Sequence, residues 1–264
     1  MLRTRILSAL VLIPLVLAVL YVGGWWFLTA IGIILSLGAW EFVNLMRKGG
    51  HSLWLPAALI LVWVALTDVA LPQAELLDPG LALALLICLI WAMVRFTRGE
   101  QDPVASWALT VVGGLYLGGL GSHFLRLRAL DDGWLWSLTA YGCTWLADSG
   151  AYFVGRAWGR HKLAPKLSPG KTWEGSFGGL VAGALSGVLL ATLFGLGTWH
   201  GLALGALIAV ISPVGDLGIS MVKRQVGAKD SSNLIPGHGG VLDKIDSLLI
   251  SVTIATYYIG IFVV

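Results

Sequence analysis

The sequence predicts an all-α integral membrane protein of about nine transmembrane helices, with the N-terminus cytoplasmic and the C-terminus outside. Three observations predict it. Hydrophobic residues make up 57% and charged residues 12% of the 264 positions, with a mean hydropathy of +0.85; soluble domains run at about 45–50% apolar and about 25% charged. The apolar residues are gathered into stretches close to the ~20 residues that cross a hydrocarbon core. The basic residues fall almost entirely on one side of those stretches. Such a composition excludes a secreted domain, a soluble enzyme and a disordered chain. Helices are the economical choice, because lipid offers the backbone no hydrogen-bond partner and no alternating barrel pattern is present.

Gly, Pro and charged clusters punctuate the spans at 5–22, 25–45, 53–71, 80–97, 104–121, 134–154, 175–196, 200–222 and 246–264. Arg3 and Arg5 precede the first run as in a signal peptide, but no small-residue cleavage site follows and a second span comes at once, so the run is read as retained. Gly23, Gly24, Trp25 and Trp26 separate it from the second. When loops are assigned to alternate sides, all of the 17 Lys and Arg except Arg126 and Arg128 share one side, which the positive-inside rule makes cytoplasmic. Trp25, Trp26, Trp54, Trp134, Trp136 and Trp199 fall near span ends and read as interfacial anchors. Glu41 and Asp68 lie in or beside apolar runs; Glu41 is near Arg47 at a cytoplasmic edge and Asp68 near an outer end, so both read as locally paired or snorkelling. Cys88 and Cys143 sit in apolar runs without metal-ligand spacing and read as small buried hydrophobes.

Charge divides the chain in two. Residues 1–140 hold about five spans and read as scaffold, whereas 141–264 read as a catalytic region with cytoplasmic loops at 155–174 and 223–245. The first loop is led by Thr144, Asp148 and Tyr152, spaced four apart on one helical face. Arg156, Arg160, Lys162, Lys166 and Lys171 then alternate with Gly155, Gly159, Pro165, Pro169 and Gly170. Cations mixed with helix breakers suit a polyphosphate, since the backbone N–H groups can approach it. A plain basic loop touching anionic membrane lipid is the competing reading.

The second loop is more specific. Asp216, Ser220 and Lys223 share one face of span eight. Lys229 and Asp230 then precede Pro236, Gly237, His238, Gly239 and Gly240, and Asp243 and Asp246 open the last span three residues apart. Asp148, Asp216, Asp243 and Asp246 are expected to converge at one membrane-surface site. Oxygen ligands of this kind suit Mg²⁺, which is held by one or two carboxylates plus substrate phosphates. For Asp243 and Asp246 the competing role is helix N-capping.

The segment Ser220–Asp246 resembles the signature of the CDP-diglyceride synthases, the phosphatidate cytidylyltransferases: Ser, Lys-Arg, Lys-Asp, Pro-Gly-His-Gly-Gly and Asp-x-x-Asp. Lys244 stands where the family has Arg, keeping the charge but losing the bidentate fork. Ser168, Pro169, Lys171, Thr172, Glu174 and Gly175 match a second stretch of the family. The resemblance implies that CTP and phosphatidate give CDP-diacylglycerol and pyrophosphate with Mg²⁺, at the cytoplasmic face of a bacterial inner membrane. It assigns Asp216, Asp243 and Asp246 to one metal ion or two, with Asp148 as a further ligand or orienter. Lys223, Arg224, Lys229 and Lys171 are expected to bind phosphates, supported by Ser168, Thr172 and His238. Asp216, Lys223, Asp243 and Asp246 form the expected catalytic set.

Two other classes compete. A transporter would show inverted repeats and a midplane site, whereas here the ionisable groups gather at one face. A polyprenol-kinase-like membrane transferase is closer. Nothing in the chain calls for nucleic acid. Gly and Ala in spans five, seven and eight would suit a homodimer.

Overall fold

The computed structural model describes residues 2–237 and 239–263, without the side chains of residues 2–9, 11 and 12. Apolar runs become helices in chain order: α1 Leu2–Val22, α2 Gly24–Lys48, α3 Leu55–Ala70, α4 Leu77–Thr97, α5 Pro103–Leu115, α6 Gly121–Ala129 and α7 Gly133–Trp158. After a hairpin of β1 Lys162–Ala164 and β2 Ser168–Thr172 come α8 Trp173–Phe194, α9 Thr198–Ile211, α10 Pro213–Gln225 and α11 Leu242–Phe262. Local chemistry sets several ends. Asp102 accepts from Ala105 N at 3.2 Å ahead of Pro103, starting α5. Asp68 Oδ1 accepts from Leu77 N at 3.0 Å at the start of α4, which is the local pairing expected of it. Gly195, at φ 72°, ends α8 in the left-handed conformation that glycine adopts without strain.

Among the described residues, six helical runs are long and apolar enough to cross a membrane: Gly24–Lys48, Leu77–Thr97, Pro103–Ala129, Trp173–Phe194, Thr198–Gln225 and Leu242–Phe262. They coincide with the second, fourth, fifth, seventh, eighth and ninth expected spans; the other three fall on α1, α3 and α7. A π-turn at Tyr116–Leu120 joins α5 to α6, and Ser212 joins α9 to α10. Leu83, Leu86, Ile90, Phe177, Leu185 and Leu189 are exposed on helix surfaces, which a protein surrounded by water would not tolerate at this density.

Where charge divides the chain near residue 140, compactness groups it differently: Met1–Leu125 with Val222–Lys244, and Arg126–Met221 with Ile245–Val264. In the first unit α3 packs against α2, α4 and α5, burying Leu35, Val43, Leu45, Leu61, Val62 and Leu66. Trp54 stacks on Trp91 with ring centroids 5.7 Å apart. Cys88 is buried and free, as is Cys143 in the second unit.

In the second unit α8 packs against both α7 and α9. The α8–α9 crossing is made by glycine on both sides. A Cβ on Gly187 would overlap the carbonyl of Gly201, one on Gly201 that of Gly187, and one on Gly205 that of Gly183. Each helix thus presents a small-xxx-small pair that lets the backbones meet. Gly183, Gly187, Gly201 and Gly205 of spans seven and eight therefore pack inside the chain. Thr144 Oγ1 donates to Ser251 Oγ at 2.7 Å, fastening α7 to α11. Trp136 is 1% exposed, a correction to its reading as an interfacial anchor: its face of α7 points into the core. Trp25, Trp26 and Trp199 are exposed as expected.

Candidate active site

The second unit builds one cluster around Lys171. The basic stretch expected to be an irregular loop is an antiparallel hairpin, with Lys162 opposite Thr172 and Ala164 opposite Ser168. Strands this short carry no readable alternation. Glu174, in the first turn of α8, closes its base: the carboxylate accepts from Arg160 N at 3.1 Å and His161 N at 3.2 Å and meets His161 Nδ1 at 2.6 Å. Thr172 is buried and caps α8, accepting from Gly175 N at 3.1 Å. That hydroxyl holds the helix start, and Ser168 opens β2 half-buried.

The hairpin directs Lys171 to the start of α10, where Nζ lies 2.7 Å from Asp216 Oδ2 and 3.5 Å from the Pro213 carbonyl. Ser220 Oγ donates to Asp216 Oδ1 at 3.3 Å, so the expected shared face of Asp216 and Ser220 is formed. Gly215 lies against the backbone of α11; a Cβ there would overlap the Asp246 carbonyl oxygen. This close approach makes Asp216 and Asp246 neighbours. Asp246 is buried, and its Oδ1 accepts from Ser247 N at 2.7 Å. Asp148 lies on α7 and is exposed, as is Tyr152, whose hydroxyl accepts from Arg156 Nη1 at 3.0 Å.

The first unit builds the other cluster. Lys223 Nζ lies 2.7 Å from Asp243 Oδ1, and the two side chains are only 9% and 11% exposed. Asp243 Oδ2 accepts from Ser231 N at 2.9 Å, Ser231 Oγ at 2.9 Å and Gly240 N at 3.0 Å. One carboxylate therefore neutralises a buried ammonium and also fastens both ends of the loop that leads into α11. The competing expectations for Asp243, chemistry and helix capping, coexist in one side chain. Arg224 Nη1 donates to the Ala228 carbonyl at 3.1 Å, and Arg224, Lys229, Asp230 and Lys244 are exposed. Ile235 N donates to the Gly239 carbonyl at 2.9 Å across a tight turn. His238, expected to support phosphate there, lies outside the described residues.

Glu41 corrects the sequence reading. It is 0% exposed, and its partners are in the loop before α11: Ser232 Oγ donates to Oε1 at 2.5 Å, Val241 N to Oε1 at 2.9 Å, Ser231 Oγ to Oε2 at 3.0 Å and Leu242 N to Oε2 at 2.7 Å. Arg47, expected beside it, instead donates to the Leu53 carbonyl at 3.2 Å. A carboxylate in mid-helix of an apolar run was the signal; its partners, some 190 to 200 residues away, leave no local trace.

The donors available to a metal are oxygens, as Mg²⁺ requires. Among the described residues no three His, Cys, Asp or Glu side chains are grouped closely enough to hold an ion by themselves. The residues fit an ion that takes most of its ligands from substrate phosphates and water, with one or two carboxylates from the protein.

Exposed apolar helices with buried or half-buried lysine–carboxylate pairs in their polar segments are those of an integral membrane protein. The chain belongs to the Cytidylyltransferase family, which it matches over residues 3–262. It is 38% identical to a phosphatidate cytidylyltransferase of Pseudomonas aeruginosa, over 96% of this chain and 95% of that one. Identity to the phosphatidate cytidylyltransferase of Brucella suis is 35%, covering 99% and 94%. To that of Haemophilus influenzae it is 34%, covering 98% of each.

Proposed function

We propose that this chain is a membrane-embedded phosphatidate cytidylyltransferase, converting CTP and phosphatidate to CDP-diacylglycerol and pyrophosphate for phospholipid synthesis. The observation that carries the reading is that the lysines of the two charged motifs stand on motif carboxylates, Lys171 on Asp216 and Lys223 on Asp243. Relatives that match the chain nearly end to end are named for this reaction, and neither the transporter nor the polyprenol-kinase-like reading is favoured beside them.

A phosphate oxygen of phosphatidate attacks the α-phosphorus of CTP. The bond from that phosphorus to the bridging oxygen breaks, and pyrophosphate leaves with the electron pair. The nucleophile is already anionic, so alignment and charge neutralisation matter more than a strong base. Lys171 and Lys223 neutralise phosphate charge from positions set by their carboxylate partners. Arg224 and Lys229, both exposed, meet the nucleotide from the water side, with Ser168 and His238 donating hydrogen bonds and Thr172 acting through the start of α8. Mg²⁺, as one ion or two, would take one or two protein carboxylates at a time from Asp216, Asp243 and Asp246, with Asp148 as a further ligand or orienter, and would supply additional neutralisation of the triphosphate.

Phosphatidate enters sideways from the bilayer, keeping its acyl chains in lipid. The chain crosses nine times, with α1, α3 and α7 completing the set, the N-terminus and site in the cytoplasm, and the C-terminus outside. Residues 1–140 are scaffold and 141–264 carry most of the chemistry, in the inner membrane of a bacterium.

The test is transfer of radiolabel from CTP into lipid by purified protein with phosphatidate and Mg²⁺. A chloroform-soluble cytidylate product is expected, absent when chelator removes the ion; no product with Mg²⁺ present would sink the assignment. Asp246→Asn should abolish turnover and leave the protein monodisperse in detergent. Near-normal turnover would remove Asp246 from the metal set.

A further inference from the structure

We propose that Glu41 is a positioning residue for the Lys223–Asp243 pair, holding the 231–242 loop in the one arrangement that lets Asp243 grip Lys223. The inference rests on the reading of that pair as part of the CTP-handling machinery. It is carried by the geometry of one carboxylate. Two donor groups lie within hydrogen-bond distance of each Glu41 oxygen, the Ser231 hydroxyl dividing its one proton between Glu41 and Asp243. Two of them, Val241 N and Leu242 N, are N–H groups at the start of α11 that no residue inside the helix can satisfy. Glu41 therefore caps α11 from a distant helix, α2, and Asp243 is the next residue after Leu242.

The link to Asp243 is direct. Ser231 Oγ lies 3.0 Å from Glu41 Oε2 and 2.9 Å from Asp243 Oδ2, so one hydroxyl is shared by the two carboxylates. Gly240, whose N–H also serves Asp243, leaves no room for adjustment. A Cβ there would lie 2.5 Å from Glu41 Oε2 and 2.7 Å from Oε1, and would overlap Ser231 Oγ. Loop, helix start and Asp243 are thereby referenced to a single side chain. Groups that orient a reacting ligand through one hydrogen bond typically cost about 10–100-fold in activity when removed.

The chemistry of replacement is specific. In Glu41→Gln either amide orientation points NH₂ at Val241 N–H or Leu242 N–H, neither of which can reverse. Hydroxyls can rotate, but a main-chain N–H cannot. Glu41→Asp keeps both acceptors one methylene short. Ser232→Ala, the mildest variant, removes one donor to Glu41 and the acceptor of Leu234 N, and leaves the other three donors.

The experiment measures kcat, the KM for CTP and the reaction of Lys223 with an amine-acylating reagent, read by mass spectrometry, on monodisperse protein. Glu41→Gln and Glu41→Ala are expected to lower kcat by about 10–100-fold with KM for CTP changed by less than about 3-fold. Glu41→Asp should fall between these and the parent, and Ser232→Ala should lower kcat several-fold. Lys223 labelling should rise several-fold in the Glu41 variants while Lys171 labelling stays constant. Unchanged kcat per folded molecule together with unchanged Lys223 labelling, in whichever variants fold, would overturn the proposal. If the parent transfers no cytidylate, the functional reading fails by itself, and the labelling contrast between Lys223 and Lys171 still decides whether Glu41 positions the pair.

Discussion

Asp243→Asn is expected to lower turnover by about 10²–10³-fold or more and to destabilise the protein by about 3–5 kcal/mol. Both effects follow from what the carboxylate holds. Asn retains one oxygen for Ser231 N and Gly240 N, so the loop keeps an anchor, but Lys223 loses the negative charge 2.7 Å away. A buried ammonium without its counter-charge is far more costly than a missing neutral hydrogen bond. Pairing Asp243→Asn with Lys223→Met should recover most of the stability and none of the activity. The comparison uses thermal unfolding in detergent beside label transfer from CTP. If the double variant stays as unstable as the single one, the unpaired charge is not the source of the loss. If it regains turnover, the pair is a structural element only.

The second large effect is steric. Gly201→Ala should destabilise by about 1–3 kcal/mol, the usual range for overpacking and here at its upper end. The added methyl overlaps the Gly187 carbonyl and lies against Ala191 on α8. Neither backbone can yield without opening the crossing. Gly201→Leu should give no monodisperse protein. Gly260→Ala is the matched control, because a Cβ there meets nothing within 4 Å; with helix propensity alone acting, it should raise stability by about 0.5–1 kcal/mol. Thermal midpoints of the three proteins read the contrast. Equal behaviour at 201 and 260 would mean that α8 and α9 do not meet through these glycines.

Hydropathy made the helices legible and their polar continuations illegible. It places α4 at 80–97 against the observed Leu77–Thr97, and α8 at 175–196 against Trp173–Phe194. Apolarity reports which residues lie in lipid, not which are helical. So α6, carrying Arg126 and Arg128 to Ala129, and α10, carrying Lys223 and Arg224 to Gln225, run on past the point where the signal ends. The hairpin escaped because three- and five-residue strands show no period. In the candidate site, the i, i+4 spacing of Asp216 and Ser220 was readable because a helix makes it a local fact. The partner choices were not. Lys171 finds Asp216 across 45 positions, and nothing in the neighbourhood of Glu41 points to the start of α11. Sequence spacing identifies residues that share a face; which faces meet is decided by packing.

The run Thr198–Gln225 has a consequence in simple height. Its 28 residues rise ~42 Å at ~1.5 Å each, whereas the oily slab of a bilayer is only ~30 Å deep. Counted from the exposed Trp199, Asp216 stands ~26 Å up and Lys223 ~36 Å. Upright, the run is ~12 Å longer than the layer is deep, so one end or the other must stand in water. On the function proposed above, that surplus length lets the polar end of the run meet a triphosphate without its shedding hydration into oil, while the lipid partner has only to rise by its headgroup. Pro213 falls where α9 gives way to α10, at the first position of the new helix, where a missing N–H is tolerated.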